Sequence, residues 1–558
     1  MIQKTVTVEI EKALKKLGLS LEKIELEHPA NLEHGDYSTN VALILGKQER
    51  KNPREMAQSI VDAIGDSDDI EKVEVAGPGF INFYLSRTFF LQSIRNILKE
   101  KERWGANDSL QGKKVMVEHT QPNPFKPFHI GHLMSNTIGE SVSRLYEFTG
   151  AQVRRANYQG DVGLHVAKAL WGLHKFGGDP SNVEDLAKAY VAGHSAYTDE
   201  DGAKEEIVTF NKQVYEKARE IEEQYAIGRK VSLEHFEELY KMLDTKFDYY
   251  FFESGSFEPG KAIVKEGLAK GIFEESEGAI VFKGEKYGLH TRVFINQQGL
   301  TTYEAKELGL AHNKREKWDF DISVTTTAVE QDEYFKVVFK ALSLLHPELA
   351  EKLIHVSHGM MSLSGEKMSS RKGNVITGES LLKDTLALAI EKVQERELPE
   401  ALKGEIAESV AVAGIKYSIL KRKAGKNIIF NPDEALSFDG DSGPYLEYAH
   451  TRAVSVLEKA EKEGYKAETT LAPQESTTLE KLMYRFPEVV ARSQTEHEPH
   501  YITTYLTELA GAWNSWYASE KILDESTTVA YKLALAQAFA CTMKNGLWLL
   551  GIKAPRKM

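Results

Sequence analysis

The chain has 558 residues, of which 42% are hydrophobic and 27% are charged, and its formal net charge is -13. This length exceeds one ordinary domain, and the composition is that of a globular protein rather than a disordered chain or a disulfide scaffold. The acidity argues against a protein that coats nucleic acid indiscriminately, because such binding neutralises many phosphates, yet it leaves room for a local basic face.

The first nineteen residues interleave Glu and Lys with apolar side chains, which is not the pattern of a secretory signal. No apolar run is long enough to predict a membrane span. The single cysteine, Cys541, excludes an internal disulfide and a zinc site built from several cysteines. We therefore expect a cytoplasmic protein without a membrane partner and without a metal site built by its own side chains.

The N-terminal region predicts a small α+β domain. Helical patterns at 2–17 and 53–64 flank a strand-like apolar segment at 79–85. The polar stretch 103–111 then indicates a boundary, so the first domain is predicted to span residues 1–108.

The next region predicts an α/β domain at 109–385. A buried strand at 113–119, a helix at 131–148 and a strand at 153–158 form one βαβ unit, which requires a parallel sheet. Charged helices and a possible hairpin near 279–282 predict an insertion at 175–300. The strands expected to complete the sheet are 292–296, 321–325 and 353–357.

The last region, residues 386–558, predicts an all-α helical bundle. Several segments carry apolar residues at helical spacing, and packing these faces together is the simplest way to bury them. The clearest of these segments are 406–421, 445–461 and 528–549.

The segment Glu118-His-Thr-Gln-Pro-Asn-Pro-Phe-Lys-Pro-Phe-His129-Ile-Gly131-His132 brings two imidazoles to the start of the predicted helix. Unpaired amides and the positive end of the helix dipole attract anions, and both histidines can donate hydrogen bonds to phosphoryl oxygens. Gly131 lets a nucleotide approach the backbone. Taken alone, the segment is equally compatible with a capped helix that carries surface histidines.

A second segment, Gly-Glu-Lys367-Met-Ser-Ser-Arg371-Lys372-Gly-Asn, is a glycine-bounded loop with three cations that can neutralise a developing pyrophosphate charge. Taken alone, it is also compatible with a solvated basic loop. The two segments in this order resemble the His-Ile-Gly-His and Lys-Met-Ser-Lys-Ser signatures of class I aminoacyl-tRNA synthetases.

Further motifs narrow the resemblance to the arginyl-tRNA synthetases over nearly the whole chain. They are Asn-Tyr-Gln-Gly-Asp-Val-Gly at 157–163, His-Gly-Asp-Tyr-Ser-Thr-Asn-Val-Ala-Leu at 34–43, Gly-Pro-Tyr-Leu-Glu-Tyr-Ala-His-Thr-Arg at 443–452, and the terminal segment 549–558. The resemblance implies a Rossmann-type catalytic domain, an N-terminal domain that contacts the tRNA elbow, and an anticodon-binding helical bundle. It also implies the substrates ATP, L-arginine and tRNA(Arg), with adenylate formation that needs bound tRNA.

Catalytic roles follow from the same resemblance. His129 and His132 would stabilise the pentacoordinate phosphate, while Lys367 and either Arg371 or Lys372 would accompany the departing pyrophosphate, with Mg²⁺ bound to ATP. Ser370 stands where the signature often has its second lysine, and Glu330 stands near the position of an acid that binds the ATP ribose. The implied ATP-binding residues are His129, Gly131, His132, Glu330, Gly359, Met360, Lys367 and Met368.

Arginine recognition requires carboxylates and planar acceptors, because a guanidinium cannot lose its charge and must be paired when it is desolvated. Tyr303 and Glu307 lie four residues apart, on one face of a predicted helix. The family usually has Asp at the second position, so either Glu307 still pairs with the guanidinium, which we favour, or Glu118 carries more of the recognition. Both residues could instead cap and solvate their helix. The implied arginine-binding residues are Glu118, Asn123, His129, Tyr303, Glu307 and Gln331.

For tRNA, the aromatic candidates are Tyr445, Tyr448 and Tyr517, on which unpaired anticodon bases could stack. Aromatic residues at such spacing are usually core, so we expect at least one of the three to be structural. Two rival functions stay open at this point: another class I enzyme, and a tRNA-binding relative without catalysis, which intact His129, His132 and Lys367 disfavour. A monomer is expected.

Overall fold

The computed structural model describes residues 2–364 and 377–558. Its N-terminal region is an α+β unit, as the sequence predicts. The elements are α1 (Ile2–Lys16), β1 (Tyr37–Thr39), α2 (Val41–Gln48), α3 (Pro53–Ala63), β2 (Ile70–Ala76), β3 (Phe80–Leu85) and α4 (Arg87–Glu100). The strands form an antiparallel sheet in the order β1-β3-β2. Apolar residues of α1 recur every three or four positions and are buried in the core of this unit.

The central region alternates strands and helices. Its strands are β4 (Lys114–Glu118), β5 (Gln152–Gln159), β6 (Tyr249–Phe252), β7 (Glu274–Ser276), β8 (Ala279–Phe282), β9 (Arg292–Ile295), β10 (Ile322–Ala328), β11 (Leu353–His358) and β12 (Met361–Leu363). Its helices are α5 (Ile130–Phe148), α6 (Leu164–Phe176), α7 (Val183–Asp199), α8 (Ala203–Glu216), α9 (Arg219–Met242), α10 (Glu253–Ala269), α11 (Tyr303–Lys317), α12 (Asp332–Leu345) and α13 (Pro347–Ala350).

A parallel sheet with the strand order β11-β10-β4-β5-β6 forms the centre of the molecule, which confirms the predicted α/β architecture. The chain moves from β4 towards β5 and β6 in one direction and from β10 to β11 in the other. The order therefore reverses between β4 and β10. In open parallel sheets, ligands bind in the crevice at the carboxyl ends of the strands where this reversal occurs.

The prediction that 292–296 would extend this sheet is wrong. That segment is β9, which pairs antiparallel with β8 in a separate sheet of order β7-β8-β9. The connection from Phe282 to Arg292 is too short for the crossover that parallel neighbours require. The edge position of the parallel sheet is taken instead by β6, which lies inside the segment 175–300 that the sequence marked as an insertion.

The C-terminal region is helical, with one short strand that pairs with β12. Its elements are α14 (Gly378–Gln394), α15 (Glu400–Leu420), β13 (Ile428–Phe430), α16 (Pro432–Ala435), α17 (Gly443–Lys462), α18 (Thr478–Met483), α19 (Phe486–Glu496), α20 (His500–Ser519) and α21 (Val529–Leu549). The three segments predicted from helical periodicity correspond to α15, α17 and α21. None of the described helices is long and apolar enough to cross a membrane.

The helical region packs directly against α5, the helix that follows the first strand of the parallel sheet. The buried Lys416 of α15 donates from Nζ to the carbonyls of Leu243 and Gly551, at 2.7 Å each. Ser141 of α5 donates to the Leu549 carbonyl at 2.8 Å. The position of α5 is therefore fixed from both the sheet and the C-terminal helices.

Candidate active site

The loop between β4 and α5 has backbone conformations that residues other than glycine rarely adopt. Thr120, Gln121 and Phe125 have φ values of 78°, 54° and 67°. Each such residue costs about 1–3 kcal/mol and persists only where its surroundings hold it. The three amides donate to the side chains of Ser135, Asn157 and Ser232, at 3.0, 3.2 and 3.0 Å. The loop is thus held rigidly at the crevice, and Asn157 of the 157–163 motif serves to hold it.

Two imidazoles cap the start of α5. The Nδ1 atom of His129 accepts from the His132 amide at 3.3 Å, and the Nδ1 atom of His132 accepts from the His129 amide at 3.2 Å. The rings stack with their centroids 3.4 Å apart. Burial lowers the pKa of His129 to about 4 and holds the pKa of His132 well below its usual value, so both rings are neutral. Because Nδ1 accepts, the proton of each neutral ring lies on Nε2.

The start of α5 therefore offers two neutral N–H donors beside the Gly131 amide, for which the described residues provide no acceptor. This combination binds phosphoryl oxygens. Gly131 lies between the two histidines, and a Cβ atom at this position would approach the His129 ring to 3.1 Å. All three residues line one cleft at the carboxyl ends of the strands.

The same cleft brings together every residue predicted to bind arginine. These residues are Glu118, Asn123, His129, Tyr303, Glu307 and Gln331. Tyr303 begins α11 at the rim, with 62% of its surface exposed, and its carbonyl accepts from the Tyr334 hydroxyl at 3.0 Å. The Asn123 side-chain oxygen accepts from the Gly160 amide at 2.8 Å, which leaves its NH₂ group as the donor.

Three of the carboxylates that line the cleft are paired with a basic side chain. The pairs are Glu118 with Lys314 at 2.8 Å, Glu253 with Lys306 at 2.7 Å, and Glu304 with Arg292 at 3.2 Å. The first two pairs are buried on both sides. Their charges are thus compensated within the protein before any ligand binds.

Glu307 is the exception, because it forms no ion pair with any residue in 2–364 or 377–558. Burial and the neighbouring Glu118 raise the pKa of its carboxyl to about 8, against the opposing effect of Lys314. Close to it, the buried Tyr158 hydroxyl also lines the cleft and has no hydrogen-bond partner among the described residues. This end of the cleft therefore has one uncompensated acid and one unsatisfied hydroxyl.

Three of the residues predicted to bind ATP, namely Glu330, Gly359 and Met360, do not line this cleft. Glu330 is exposed. The Met360 amide donates to the Asn427 side chain at 2.9 Å and its carbonyl accepts from the Ile428 amide at 2.8 Å. A Cβ atom on Gly359 would lie 2.1 Å from the Lys426 carbonyl, so this glycine is needed for the close approach of that segment. Lys367, Met368, Arg371 and Lys372 lie outside the described residues.

The structure adds cleft residues that the sequence analysis did not select. Among them are Tyr158 near the end of β5, Glu253 directly after β6, Arg292 at the start of β9, Glu304 in the first turn of α11, Tyr334 and Phe335 of α12, and His358 at the end of β11. Tyr158 belongs to the motif at 157–163, and no short motif marks the others. Several do follow parallel strands, and that position could have indicated them.

The three tyrosines proposed for tRNA binding lie on α17 and α20, and all are partly buried. The Tyr445 hydroxyl accepts from the Asn514 side chain at 3.1 Å, which ties it to the packing between the two helices. The Arg452 guanidinium lies over both other rings, 4.1 Å from the Tyr517 centroid and 5.6 Å from that of Tyr448. Tyr448 and Tyr517 thus form one surface with an arginine between them.

Within residues 2–364 and 377–558, no three His, Cys, Asp or Glu side chains are grouped closely enough to hold a metal ion. The cleft thus combines the start of α5, whose N–H donors suit phosphoryl oxygens, with a set of carboxylates.

Three family models match the chain. Residues 93–432 match the class I (R) tRNA synthetase catalytic domain, residues 446–558 match the DALR anticodon binding domain, and residues 3–85 match the arginyl tRNA synthetase N-terminal domain.

Similar proteins extend over the full length. The arginine--tRNA ligase of Treponema denticola is 32% identical over 95% of this chain and 94% of its own, and that of Ligilactobacillus salivarius is 33% identical over 96% and 95%. The solved structure of Thermus thermophilus arginyl-tRNA synthetase superposes with a TM-score of 0.82 at 25% identity, covering both chains completely. The Plasmodium falciparum arginyl-tRNA synthetase shares the fold, with a TM-score of 0.80 at 21% identity over 100% of this chain and 99% of its own. The chain belongs to the class I arginyl-tRNA synthetases.

Proposed function

We propose that this chain activates L-arginine with ATP and transfers the arginyl group to the 3′-terminal adenosine of tRNA(Arg). The observation that carries the proposal is Glu307, the cleft carboxylate that has no basic partner in the described chain. When the pKa of a carboxyl is raised in the ligand-free site, a permanently cationic ligand stabilises its ionised form most. A guanidinium is such a ligand, because it keeps its charge at any pH that the protein tolerates.

The geometry of the cationic group also distinguishes arginine from lysine. Guanidinium presents five donors in a planar fork, whereas the ammonium of lysine is a compact point charge. The carboxylate of Glu307 and the unsatisfied hydroxyl of Tyr158 supply planar acceptors for such a fork. Glu118 is committed to Lys314, so we assign guanidinium recognition to Glu307 rather than to Glu118.

In the first step, an arginine carboxylate oxygen attacks the α-phosphorus of ATP and the bond to the bridging oxygen of the β-phosphate breaks, releasing pyrophosphate. Catalysis of this step is positioning and charge stabilisation. The Nε2–H groups of His129 and His132 donate to the α-phosphoryl oxygens as negative charge accumulates there. Lys367, together with Arg371 or Lys372, balances the pyrophosphate, and Mg²⁺ accompanies ATP.

In the second step, the 2′-hydroxyl of the terminal adenosine attacks the arginyl carbonyl carbon, and AMP leaves with the electrons of the broken acyl–oxygen bond.

We assign residues 109–385 to catalysis, 1–108 to contact with the tRNA elbow and 386–558 to the anticodon. Tyr448 and Tyr517 are the stacking candidates there, and Tyr445 is the structural one. A cytoplasmic monomer stays a prediction.

A charging assay tests the proposal. The purified chain is incubated with ATP, Mg²⁺ and bulk tRNA, and with labelled arginine, lysine or glutamate in parallel reactions. Arginine is expected to be attached in preference to both others by several orders of magnitude. Equal or better charging with lysine or glutamate would contradict the assignment.

A further inference from the structure

His358 stands at the edge of the cleft opposite the carboxylates. It is the last residue of β11, it pairs in register with Ala328 at the end of β10, and only 2% of its surface is exposed. It lines the same cleft as His129 and His132 and contributes to lowering the pKa of both. No motif drew attention to this residue, and no step of the proposed reaction uses it.

The hydrogen bonding of His358 fixes which of its nitrogens carries the proton. Its Nδ1 atom lies 2.8 Å from the Gly359 carbonyl oxygen, which can only accept, so Nδ1 is the donor. Burial lowers the pKa of the ring, which is therefore neutral. Nε2 then has a lone pair and is a hydrogen-bond acceptor. No residue in the described ranges donates to it.

This is the opposite polarity from the two histidines of α5. His129 and His132 present Nε2–H donors, which suit phosphoryl oxygens because phosphates offer acceptors. An ionised phosphate has no hydrogen to donate to an imidazole nitrogen that is an acceptor. Such a nitrogen suits a ligand group that has N–H or O–H to give, and in ATP those groups are the ribose hydroxyls and the adenine 6-amino group.

The sheet order indicates which part of the substrate meets His358. The carboxylate Glu118 ends β4 and Glu253 directly follows β6, on one side of the start of α5. His358 and Ala328 end β11 and β10, on the other side. With arginine on the acidic side and the α-phosphate at α5, the nucleoside of ATP extends towards β10 and β11.

We propose that Nε2 of His358 accepts a hydrogen bond from the nucleoside part of ATP and thereby helps to select this nucleotide. This inference rests on the proposed function, because it takes the position of the nucleoside from the positions of arginine and the α-phosphate. His358 is a specificity residue for ATP and has no role in arginine recognition.

Three substitutions distinguish the effect of losing the Nε2 acceptor from the effect of losing the imidazole ring. His358→Gln can place an amide oxygen near the position of Nε2, His358→Asn keeps a donor near the position of Nδ1 without an acceptor at Nε2, and His358→Leu removes both. His450 is the matched control. It is 4% exposed, its Nδ1 atom lies 3.1 Å from the Pro555 carbonyl, and it is in the helical region, away from the cleft.

The measurement is ATP–pyrophosphate exchange with saturating arginine and tRNA, using ATP, 2′-deoxy-ATP, 3′-deoxy-ATP and the triphosphate of purine riboside, which lacks the 6-amino group. The wild type is expected to use one analogue about tenfold less well than ATP, since one neutral hydrogen bond is worth about this factor. His358→Leu and His358→Asn should raise the KM for ATP about tenfold, leave the KM for arginine unchanged and treat that analogue like ATP. His358→Gln should restore discrimination in part, and His450→Leu should not change the KM for ATP.

The identity of the affected analogue shows whether a ribose hydroxyl or the adenine amino group is the donor. If His358→Asn and His358→Leu discriminate among the nucleotides as the wild type does, the inference is wrong. That result is distinct from a failure of the proposed function, which would appear as a wild-type protein that does not charge tRNA with arginine. Thermal unfolding of each variant identifies any loss of activity that comes from misfolding, and His358→Asn retains the local bond if His358→Leu does not fold.

Discussion

The two sides of the cleft handle charge in different ways. The arginine side contains four carboxylates and compensates three of them with Lys314, Lys306 and Arg292, which leaves Glu307 alone. The nucleotide side, as far as the described residues go, contains neutral imidazoles whose polarity is set by hydrogen bonds to the backbone. A cationic substrate is thus met by one carboxyl group that has no basic partner in the described chain and that ionises when the substrate binds. A polyanionic substrate is met by oriented dipoles that cost little to desolvate before it arrives.

The two sides should also respond to pH in opposite directions. The folded pKa of His129 is below its ordinary value of 6.5, so its contribution to stability is present above that value and is lost as the pH falls towards about 4. The folded pKa of Glu307 is above its ordinary value of 4.5, so its contribution to stability falls as the pH rises from there towards about 8. The empty cleft is therefore most stable at intermediate pH.

The largest effect is expected from replacing Glu307, the cleft carboxyl without a basic partner in the described chain. Glu307→Gln should lower kcat/KM for arginine by about 10³-fold, because a desolvated guanidinium would lose its charged partner. The matched control is Glu316→Gln, which changes an exposed residue of the same helix and should not change charging. A decrease of less than tenfold for Glu307→Gln would mean that Glu118 is the main residue that recognises arginine. The difference between the one free carboxylate and the three paired ones would then not explain arginine binding.

The next effect concerns the neutral donors. His132→Ala should lower kcat about 10²-fold by removing one N–H donor from the α-phosphate, while the Kd for tRNA stays unchanged. The same change removes half of the reciprocal cap and should cost about 1 kcal/mol of stability.

His132→Asn separates these two roles. The asparagine oxygen can accept from the His129 amide, so thermal stability should recover. The Nε2 donor is still absent, so kcat should stay low. If His132→Asn restores kcat together with stability, His132 acts by capping the helix and not on the phosphate.

Several strands and helices, and the loop between β4 and α5, were predictable from the sequence because they are local patterns. The βαβ unit from β4 to β5 follows from periodicity, and α15, α17 and α21 follow from helical spacing. The prediction for β9 was wrong because it considered this strand without its partner. How β9 pairs depends on the length of its connection to β8. β6 was missed because four aromatic residues, Tyr249–Phe252, are too short a run to stand out.

The site shows the same division between local and tertiary information. All six predicted arginine-binding residues line one cleft, since each was marked by a motif or by helical spacing. Glu253 was missed together with β6, because its significance comes from following a parallel strand. The pairing of Glu118 with Lys314 joins residues that are 196 positions apart, and no local pattern could indicate that this acid is already neutralised.

A smaller effect is expected in the protons that accompany arginine binding. At pH 7 the raised pKa of Glu307 keeps its carboxyl largely protonated in the empty site, and a bound guanidinium requires the charged form. Binding should therefore release close to one proton at pH 7, and less as the pH is raised past about 8. Calorimetric titration in two buffers with different ionisation enthalpies measures this number. Glu307→Gln should release none, and an equal release from both proteins would assign the proton to another group.

The smallest effect is on the stability of the unliganded protein. Between pH 4.5 and about 8 the folded state holds a proton on Glu307 that the unfolded state has lost, so the wild type is progressively destabilised across this window. Glutamine does not titrate. Glu307→Gln should therefore have a Tm close to that of the wild type at pH 5 and a higher Tm than the wild type at pH 8.

Arginine provides the internal check on that result. A ligand that binds only the folded state raises its stability by RT ln(1 + [L]/Kd), so arginine at pH 8 should raise the Tm of the wild type and leave the Glu307→Gln variant nearly unchanged. The order of the two Tm values should then reverse between the free and the arginine-saturated proteins. If the variant is not more stable than the wild type without arginine, the charge of Glu307 is compensated in the ligand-free protein. All four carboxylates of the cleft would then be balanced.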